Sequence, residues 1–228
     1  MLTHTAIRTD FSRTANNPLP RAHISSGSFF DSISLMGATM PYTRDAEIYG
    51  ENEPADYVYG VISGAVRTYK ILGDGRRQIG AFYLPGDIFG LEADDEHSFS
   101  AEAISDAKIL VIKRSALLAL AERESEVARQ LWSVTSQELR RVQDHILLLI
   151  KTAKERVGSF LLEMAKRCPS GNDVELPMSR QDIADYLGIT IETVSRNLTK
   201  LENSASIKVT SARHIVLCNR RALGLLDG

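Results

Sequence analysis

Apolar residues in the first half of the chain occur in short runs that are separated by turn residues. The clearest runs cover residues 57–59, 65–70, 78–82 and 108–112. Strands of about five residues, with turns about every 8 to 12 residues, are typical of an antiparallel sandwich or small barrel. The pair Asp74 and Gly75 predicts a hairpin, because tight hairpin turns need residues that tolerate positive φ.

From residue 115 the apolar period changes to that of a helix. One stripe, with alternating spacings of four and three residues, consists of Ala128, Trp132, Thr135, Leu139, Val142, Ile146 and Leu149. This pattern is a heptad seam on a helix of about 25 to 30 residues. A second apolar stripe consists of Val127, Leu131, Val134 and Leu148. Two apolar stripes imply that two different surfaces cover the helix. The second stripe can pack on the sheet, so we expect the first to be a dimer interface. The alternative is a single amphipathic helix packed on the sheet.

Two short helices joined by a glycine are predicted near the end of the chain. Ser179 and Asp182 form a variant capping box that opens the first helix, and Gly188 ends it. Thr190 caps a second helix that runs to about residue 202. The inner faces consist of Ile183, Ala184 and Leu187, and of Val194, Leu198 and Leu201. This is a helix-turn-helix pattern, and Asn197 departs from it because an apolar residue usually stands there.

The outward face of the second helix carries side chains suited to base edges. Glu192 can accept from a cytosine amino group, and Arg196 can donate to guanine or to phosphate. Ser195 can bond either a base edge or a phosphate, while Ile191 offers apolar contact that suits a thymine methyl group. The alternative is an ordinary solvated face with a Glu–Arg pair four residues apart.

Residues 206–217 predict two short strands around a polar tip, which would form a wing beside the two helices. Cations and hydroxyl groups there and at the helix starts suit the DNA backbone. The residues expected to contact phosphate are Ser179, Arg180, Thr190, Thr199 and Arg213. For Ser179, a purely capping role is the alternative.

Composition excludes several classes of protein. The 228 residues are 43% apolar, with 27 Lys+Arg against 29 Asp+Glu, which is ordinary for a globular protein. No run approaches the roughly 18 apolar residues of a membrane span, and the N-terminus lacks an apolar signal segment, so we expect a cytoplasmic protein without membrane contact. Residues 153–228 hold 11 of the Lys+Arg and 9 of the Asp+Glu, a net charge of +2 beside the helix-turn-helix pattern.

The order of barrel, long helix and winged helix-turn-helix resembles the CRP/FNR superfamily of bacterial transcription regulators. The resemblance covers about residues 40–225 and rests on VISGAVR (61–67), LPGDIFGL (84–91), QDHILLL (143–149), KERV (154–157) and LGITIETVSR (187–196). It implies an α+β fold, with an N-terminal antiparallel β-roll of jelly-roll type, a long dimerisation helix and a C-terminal winged helix-turn-helix. We expect a flexible segment 1–40 with one short helix around Phe29 to Met36, followed by the β-roll 41–114, the dimerisation helix region 115–152 and the DNA-binding domain 153–228.

Within the superfamily, Glu192, Ser195 and Arg196 resemble the FNR/FixK branch, whereas the cyclic-AMP-receptor branch has an arginine in place of Ile191. The resemblance implies a homodimer on double-stranded DNA with palindromes such as TTGAT-N4-ATCAA. It also implies contact with RNA polymerase, mainly as an activator, at low-oxygen or nitrogen-related genes. No catalytic residue and no metal ligand are expected.

The chain lacks the residues that the known sensors of the superfamily need. Cyclic-nucleotide binders need an arginine in the stretch that corresponds to residues 89–100 to neutralise the phosphate, but this stretch has none and carries the acids Asp94, Asp95 and Glu96. Residues 1–167 contain no cysteine for an iron–sulfur cluster, and the five histidines form no spaced constellation. We therefore expect no cofactor and no small-molecule effector.

Three alternatives stay open at this point. An unidentified ligand of the β-domain could gate DNA binding, or oxidation of Cys168 or Cys218 could do so. A cupin-like metal enzyme is the third, although the barrel region holds only His97 as a histidine ligand. The acidic run 94–96 is either a solvated loop or a contact for RNA polymerase.

Overall fold

The computed structural model describes residues 29–30, 33–167 and 171–224. Its first half contains β1 (Ala38–Tyr42), β2 (Glu47–Tyr49), β3 (Tyr57–Ser63), β4 (Val66–Ile71), β5 (Arg77–Tyr83), β6 (Ile88–Phe89), β7 (Ser100–Ala103) and β8 (Ala107–Lys113). Helices α1 (Arg114–Arg123), α2 (Ser125–Leu149) and α3 (Ala153–Arg167) follow. The last part contains β9 (Asp173–Glu175), α4 (Arg180–Leu187), α5 (Ile191–Asn203), β10 (Ile207–Val209), β11 (His214–Leu217) and α6 (Arg220–Gly224).

The strands β1 to β8 form two four-stranded antiparallel sheets, in the orders β1-β8-β3-β6 and β2-β7-β4-β5. Between them lies an apolar interior, to which Val61 and Ile109 contribute from one sheet and Val66 and Ala101 from the other. The predicted hairpin joins β4 to β5, and Gly75 in its turn has a φ of 83°. The antiparallel β-roll is therefore confirmed.

The outer face of the first sheet is covered by α1, the start of α2 and the chain that precedes β1. Residues 29–30 and 33–34 are helical, and Phe29 and Ile33 are buried against Leu110 and Leu117. The short helix expected around Phe29 to Met36 is present in the described residues, and it is packed on the β-roll, in contrast to the flexibility expected of the segment 1–40. Residues 1–28 and 31–32 lie outside the described residues. Cys168 lies outside them as well.

The C-terminal domain packs directly on the second sheet. Phe82 of β5 contacts Phe160 of α3 and Tyr186 of α4, with ring centroids 6.3 and 5.2 Å apart. Residues of both domains thus belong to one continuous apolar cluster. The position of the C-terminal domain is therefore set by tertiary packing as well as by the connection between α2 and α3.

The connection from α2 to α3 is short and held by hydrogen bonds. Arg156 of α3 donates to the carbonyl oxygens of Leu149 and Lys151 at the end of α2, and to that of Leu187 at the end of α4. Carbonyl groups at helix C-termini lack hydrogen-bond donors within the helix. One guanidinium group therefore supplies donors to the C-terminal ends of two helices. In the described part of the chain, no helix is both long and apolar enough to cross a membrane.

Candidate nucleic-acid interface

The first helix of the helix-turn-helix begins and ends as its sequence predicts. The backbone N–H of Asp182 donates to Ser179 Oγ over 3.1 Å, and the backbone N–H of Ser179 donates to Asp182 Oδ2 over 2.9 Å. This reciprocal pair is a complete capping box, which confirms the prediction. Gly188 ends the helix with a φ of 62°, a left-handed conformation that glycine adopts without steric cost.

The second helix, α5, buries the face that the sequence assigned to the core. Thr190 Oγ1 accepts from the backbone N–H of Thr193, and Val194, Leu198 and Leu201 are buried. Asn197 is buried too, and its side-chain amide donates to the carbonyl oxygen of Thr193 over 2.9 Å. Because that hydrogen bond replaces the one to water that the amide loses on burial, a polar residue is tolerated at this inner position.

The opposite face of α5 is open to solvent. Glu192, Arg196 and Thr199 are exposed, whereas Ser195 and Ile191 are half-buried, and Ile191 packs partly against the core. Hydrogen bonds from its own backbone N–H and from Thr190 lower the pKa of the Glu192 carboxyl, and Arg196 lowers it further. Glu192 is therefore an ionised acceptor at neutral pH, as a contact to a cytosine amino group requires.

The residues expected to contact phosphate differ in their surroundings. Arg180, at the start of α4, donates to Ser195 Oγ over 3.4 Å and so joins the beginnings of the two helices. Thr190 and Thr199 are exposed. The hydroxyl of Ser179 both accepts from Asp182 and donates to it, so its geometry favours the capping role.

The predicted wing is present as β10 and β11, which pair antiparallel, with β9 as a third strand beside β11. Arg213 precedes β11 at the tip and is half-buried. Its neighbour His214 contacts Thr210 Oγ1 and, over 3.4 Å, Asp173 Oδ1. Arg213 thus lies at the tip of the wing, where a phosphate contact is predicted, while His214 is engaged within the sheet.

The two apolar stripes of α2 have different surroundings in the single chain. Val127 and Leu148 of the second stripe are buried, and Leu131 and Val134 pack partly against the β-roll. The heptad seam points away from the chain and leaves four large apolar side chains exposed: Trp132, Leu139, Val142 and Ile146. Thr135 is exposed as well, and Leu149 is half-buried. The seam thus has no partner among the described residues of its own chain.

Aromatic side chains occupy the interior of the β-roll. The rings of Tyr49 and His97 stack with centroids 3.6 Å apart, and Tyr59 and Phe89 stack at 5.2 Å. A cavity of about 150 Å³ remains next to Tyr83, whose hydroxyl donates to Glu138 of α2 over 2.9 Å. Ligand pockets usually measure about 300 to 1,000 Å³, so the remaining space is small.

Sequence reasoning missed the charged residues that join the β-roll to the helix-turn-helix. Arg67 of β4 and Arg77 of β5 both donate to Asp182, and Arg77 also donates to Asp185. Nothing in the sequence pairs these residues with one another, because Arg67 and Asp182 are 115 positions apart and meet only when the domains are packed together.

A β-roll, a long helix with an open apolar seam and a winged helix-turn-helix together define a DNA-binding transcription regulator. Residues 155–226 match the Crp-like helix-turn-helix domain family, and residues 39–124 match the cyclic nucleotide-binding domain family. The chain belongs to the CRP/FNR family of transcription regulators. Both the resemblance and the fold expected from the sequence are confirmed.

Among the relatives, two nitrogen fixation regulation proteins called FixK are similar over most of the chain. FixK of Azorhizobium caulinodans is 50% identical over 201 residues, which are 86% of this chain and 81% of the relative. FixK of Rhizobium meliloti is 42% identical over 183 residues, which are 80% and 83% of the two chains. The structure of FixK2 from Bradyrhizobium japonicum has a TM-score of 0.81 and 54% identity, and the match covers 84% of this chain and 98% of that chain. These relatives are transcription regulators, which excludes the cupin-like enzyme.

Proposed function

We propose that the protein is a cytoplasmic homodimer that binds palindromes of the type TTGAT-N4-ATCAA and activates low-oxygen and nitrogen-related genes without a small-molecule effector. The names of its FixK relatives support the kind of gene that is regulated. The observation that carries the proposal is the solvent-exposed face of α5, on which Glu192 and Arg196 project from the first two turns of a helix whose other face is buried.

The chemistry of that face suits the proposed half-site. Arg196 would donate to a guanine and Glu192 would accept from the cytosine amino group of a neighbouring pair. Ser195 lies between them on the helix, and Ile191 offers only its exposed methyl groups, which favours thymine at that position. Arg180, Thr190, Thr199 and Arg213 would bond phosphates, which adds affinity but carries no sequence information.

The open heptad seam supports the homodimer. Its four large apolar side chains lie along one face of a 25-residue helix, while the second stripe of that helix already packs on the β-roll. Helix-turn-helix dimers read two half-sites about 34 Å apart, so a symmetric pair of recognition helices requires such an interface.

The interior of the β-roll supports the absence of an effector. The rings of Tyr49, Tyr59 and Phe89 fill the space between the sheets, and the remaining cavity of about 150 Å³ is lined in part by Glu92 and Glu138. Two carboxylates repel a phosphate, and the cavity lies below the usual range of about 300 to 1,000 Å³ for ligand pockets. Gating by an unidentified ligand is the competing proposal.

Selection of bound fragments from a random DNA pool tests the proposal directly. The purified protein should enrich inverted repeats of TTGAT, and fluorescence anisotropy should then show tight binding to the palindrome but not to a version with one guanine exchanged. The competing proposal predicts that affinity rises when a cell extract of small molecules is added. Enrichment of unrelated sequences, or binding as a monomer, would contradict the proposed function.

A further inference from the structure

One buried carboxylate connects the two domains. Asp182 Oδ1 accepts from Arg67 Nη1 and from Arg77 Nη2, each over 2.7 Å, and the residue is 3% exposed. Asp182 Oδ2 accepts from Ser179 in the capping box of α4. The same side chain therefore caps the first helix of the helix-turn-helix and attaches that helix to the β-roll.

Each of the two arginines is also held in place by a second carboxylate of its own. Arg67 lies opposite Glu102 in the pairing of β4 with β7 and donates to it over 2.7 Å. Arg77 Nε donates to Asp185 Oδ2, one turn after Asp182 on α4, over 2.8 Å. The cluster thus contains two guanidinium groups and three carboxylates, contributed by β4, β5, β7 and α4.

Such a cluster favours one geometry of docking over its neighbours. Charged groups removed from water are costly unless each finds its partner, so an arrangement of α4 that separates these pairs is disfavoured. The apolar contacts beside the cluster, where Phe82 meets Phe160 and Tyr186, are less directional because burial of apolar area depends little on orientation. Charge-assisted hydrogen bonds to a planar guanidinium are strongly directional. The ion pairs of the cluster therefore favour one orientation of α4 on the β-roll.

The docked arrangement leaves the reading face of α5 open. Glu192, Arg196 and Thr199 are exposed although α4 is attached to the β-roll. Ion pairs that block DNA binding would be expected to cover this face. The arrangement is therefore compatible with the DNA-bound form.

We propose that Arg67 and Arg77 are positioning residues for DNA recognition. Through Asp182 and Asp185 they hold α4, and with it the recognition helix α5, at a defined angle to the dimer helix α2. This angle sets the distance between the two recognition helices of a dimer and hence the preferred spacing of half-sites. The inference rests on the proposed function, since it presupposes a dimer on a palindrome.

The variant Arg77→Met tests the inference, with Arg76→Met as its matched control. Arg77 is suitable because Asp182 keeps its bond to Arg67 when Arg77 is lost. Arg76 is the adjacent residue in the chain, and its ion pair is with Asp74 in its own turn. Affinities are measured for the palindrome, for palindromes whose centre is shortened or lengthened by one or two base pairs, and for DNA of unrelated sequence.

We expect Arg77→Met to lower affinity for the preferred spacing by about tenfold, within the usual range of coupling between separated sites, and to reduce the discrimination between spacings. Affinity for unrelated DNA should not change, and Arg76→Met should behave as wild type. Circular dichroism with thermal unfolding verifies that both variants are folded; Arg77→Lys, which retains the charge, should recover part of the discrimination.

Unchanged spacing preference in folded Arg77→Met would overturn the inference, and so would tighter binding, which would identify the ion pairs as inhibitory. A wild-type protein that does not prefer the palindrome at all would refute the proposed function instead. The two failures are therefore distinguishable.

Discussion

Truncation of Leu139 in the heptad seam should weaken the proposed dimer by a calculable amount. The side chain is 59% exposed in the single chain, so more than half of its surface is available for burial by a partner. Full burial of a leucine is worth about 1.5 to 3 kcal/mol, which leaves about 1 to 2 kcal/mol for the interface. A symmetric dimer contains the residue twice, and the total of about 2 to 4 kcal/mol corresponds to a dissociation constant raised about 30- to 700-fold.

Leu147 provides a matched control on the same helix. It is 56% exposed, nearly the same as Leu139, but lies one position beyond the seam residue Ile146 and therefore outside the predicted interface. Sedimentation equilibrium over a range of concentrations should show a weakened dimer for Leu139→Ala and a wild-type dimer for Leu147→Ala. Equal effects of the two substitutions, or no effect of either, would refute the assignment of the seam.

Three further predictions concern DNA contact, activation and helix termination. Arg196→Ala should cost about 1 to 3 kcal/mol at one G·C pair, measured by anisotropy on single-base variants of the operator; an equal loss on every sequence would show a phosphate contact instead. Reversing the exposed charges of residues 94–96 to lysine should leave operator affinity unchanged and reduce transcription in vitro if this loop contacts RNA polymerase; unchanged transcription would exclude that contact. Gly188→Ala should lower the free energy of unfolding, measured in urea, by about 1 to 2 kcal/mol, which is the cost of a left-handed conformation for a residue with a side chain. No steric clash adds to this cost, because the added Cβ would lie an ordinary 3.7 Å from its nearest atoms. Gly73→Ala, where a Cβ would meet nothing within 4 Å, is its control.

The local elements of this protein could be predicted because they depend on residues three or four positions apart. The capping box of Ser179 with Asp182, the glycine that ends α4 and the buried stripe of α5 all follow from such short spacings. The Asp-Gly hairpin between β4 and β5 follows in the same way from the turn residues alone. The face of α5 that carries the candidate base-reading residues could be predicted as well, because it lies opposite the buried stripe of the same helix.

The burial of Phe29 and Ile33 could not be predicted from sequence. Phe29 and Ile33 have no periodic pattern around them, and only the assembled sheet offers the apolar surface that buries them. Asn197 is a different case, because its partner, the carbonyl oxygen of Thr193, lies only four positions away in the same helix. The apolar surface that buries Phe29 and Ile33 becomes known only when the chain has folded.

The order of the elements follows from the sequence, because hydrophobic period, capping residues and turn residues act over short distances. The class of protein follows from the resemblance of that order and its motifs to a known superfamily. The relative placement of the two domains was decided by tertiary structure. Arg67 and Asp182 are 115 residues apart, and Arg156 bonds a carbonyl group 31 residues away. A charged side chain in a strand or at a helix start is compatible with many partners, and only the packed arrangement selects one, because a buried charge needs its opposite at hydrogen-bond distance.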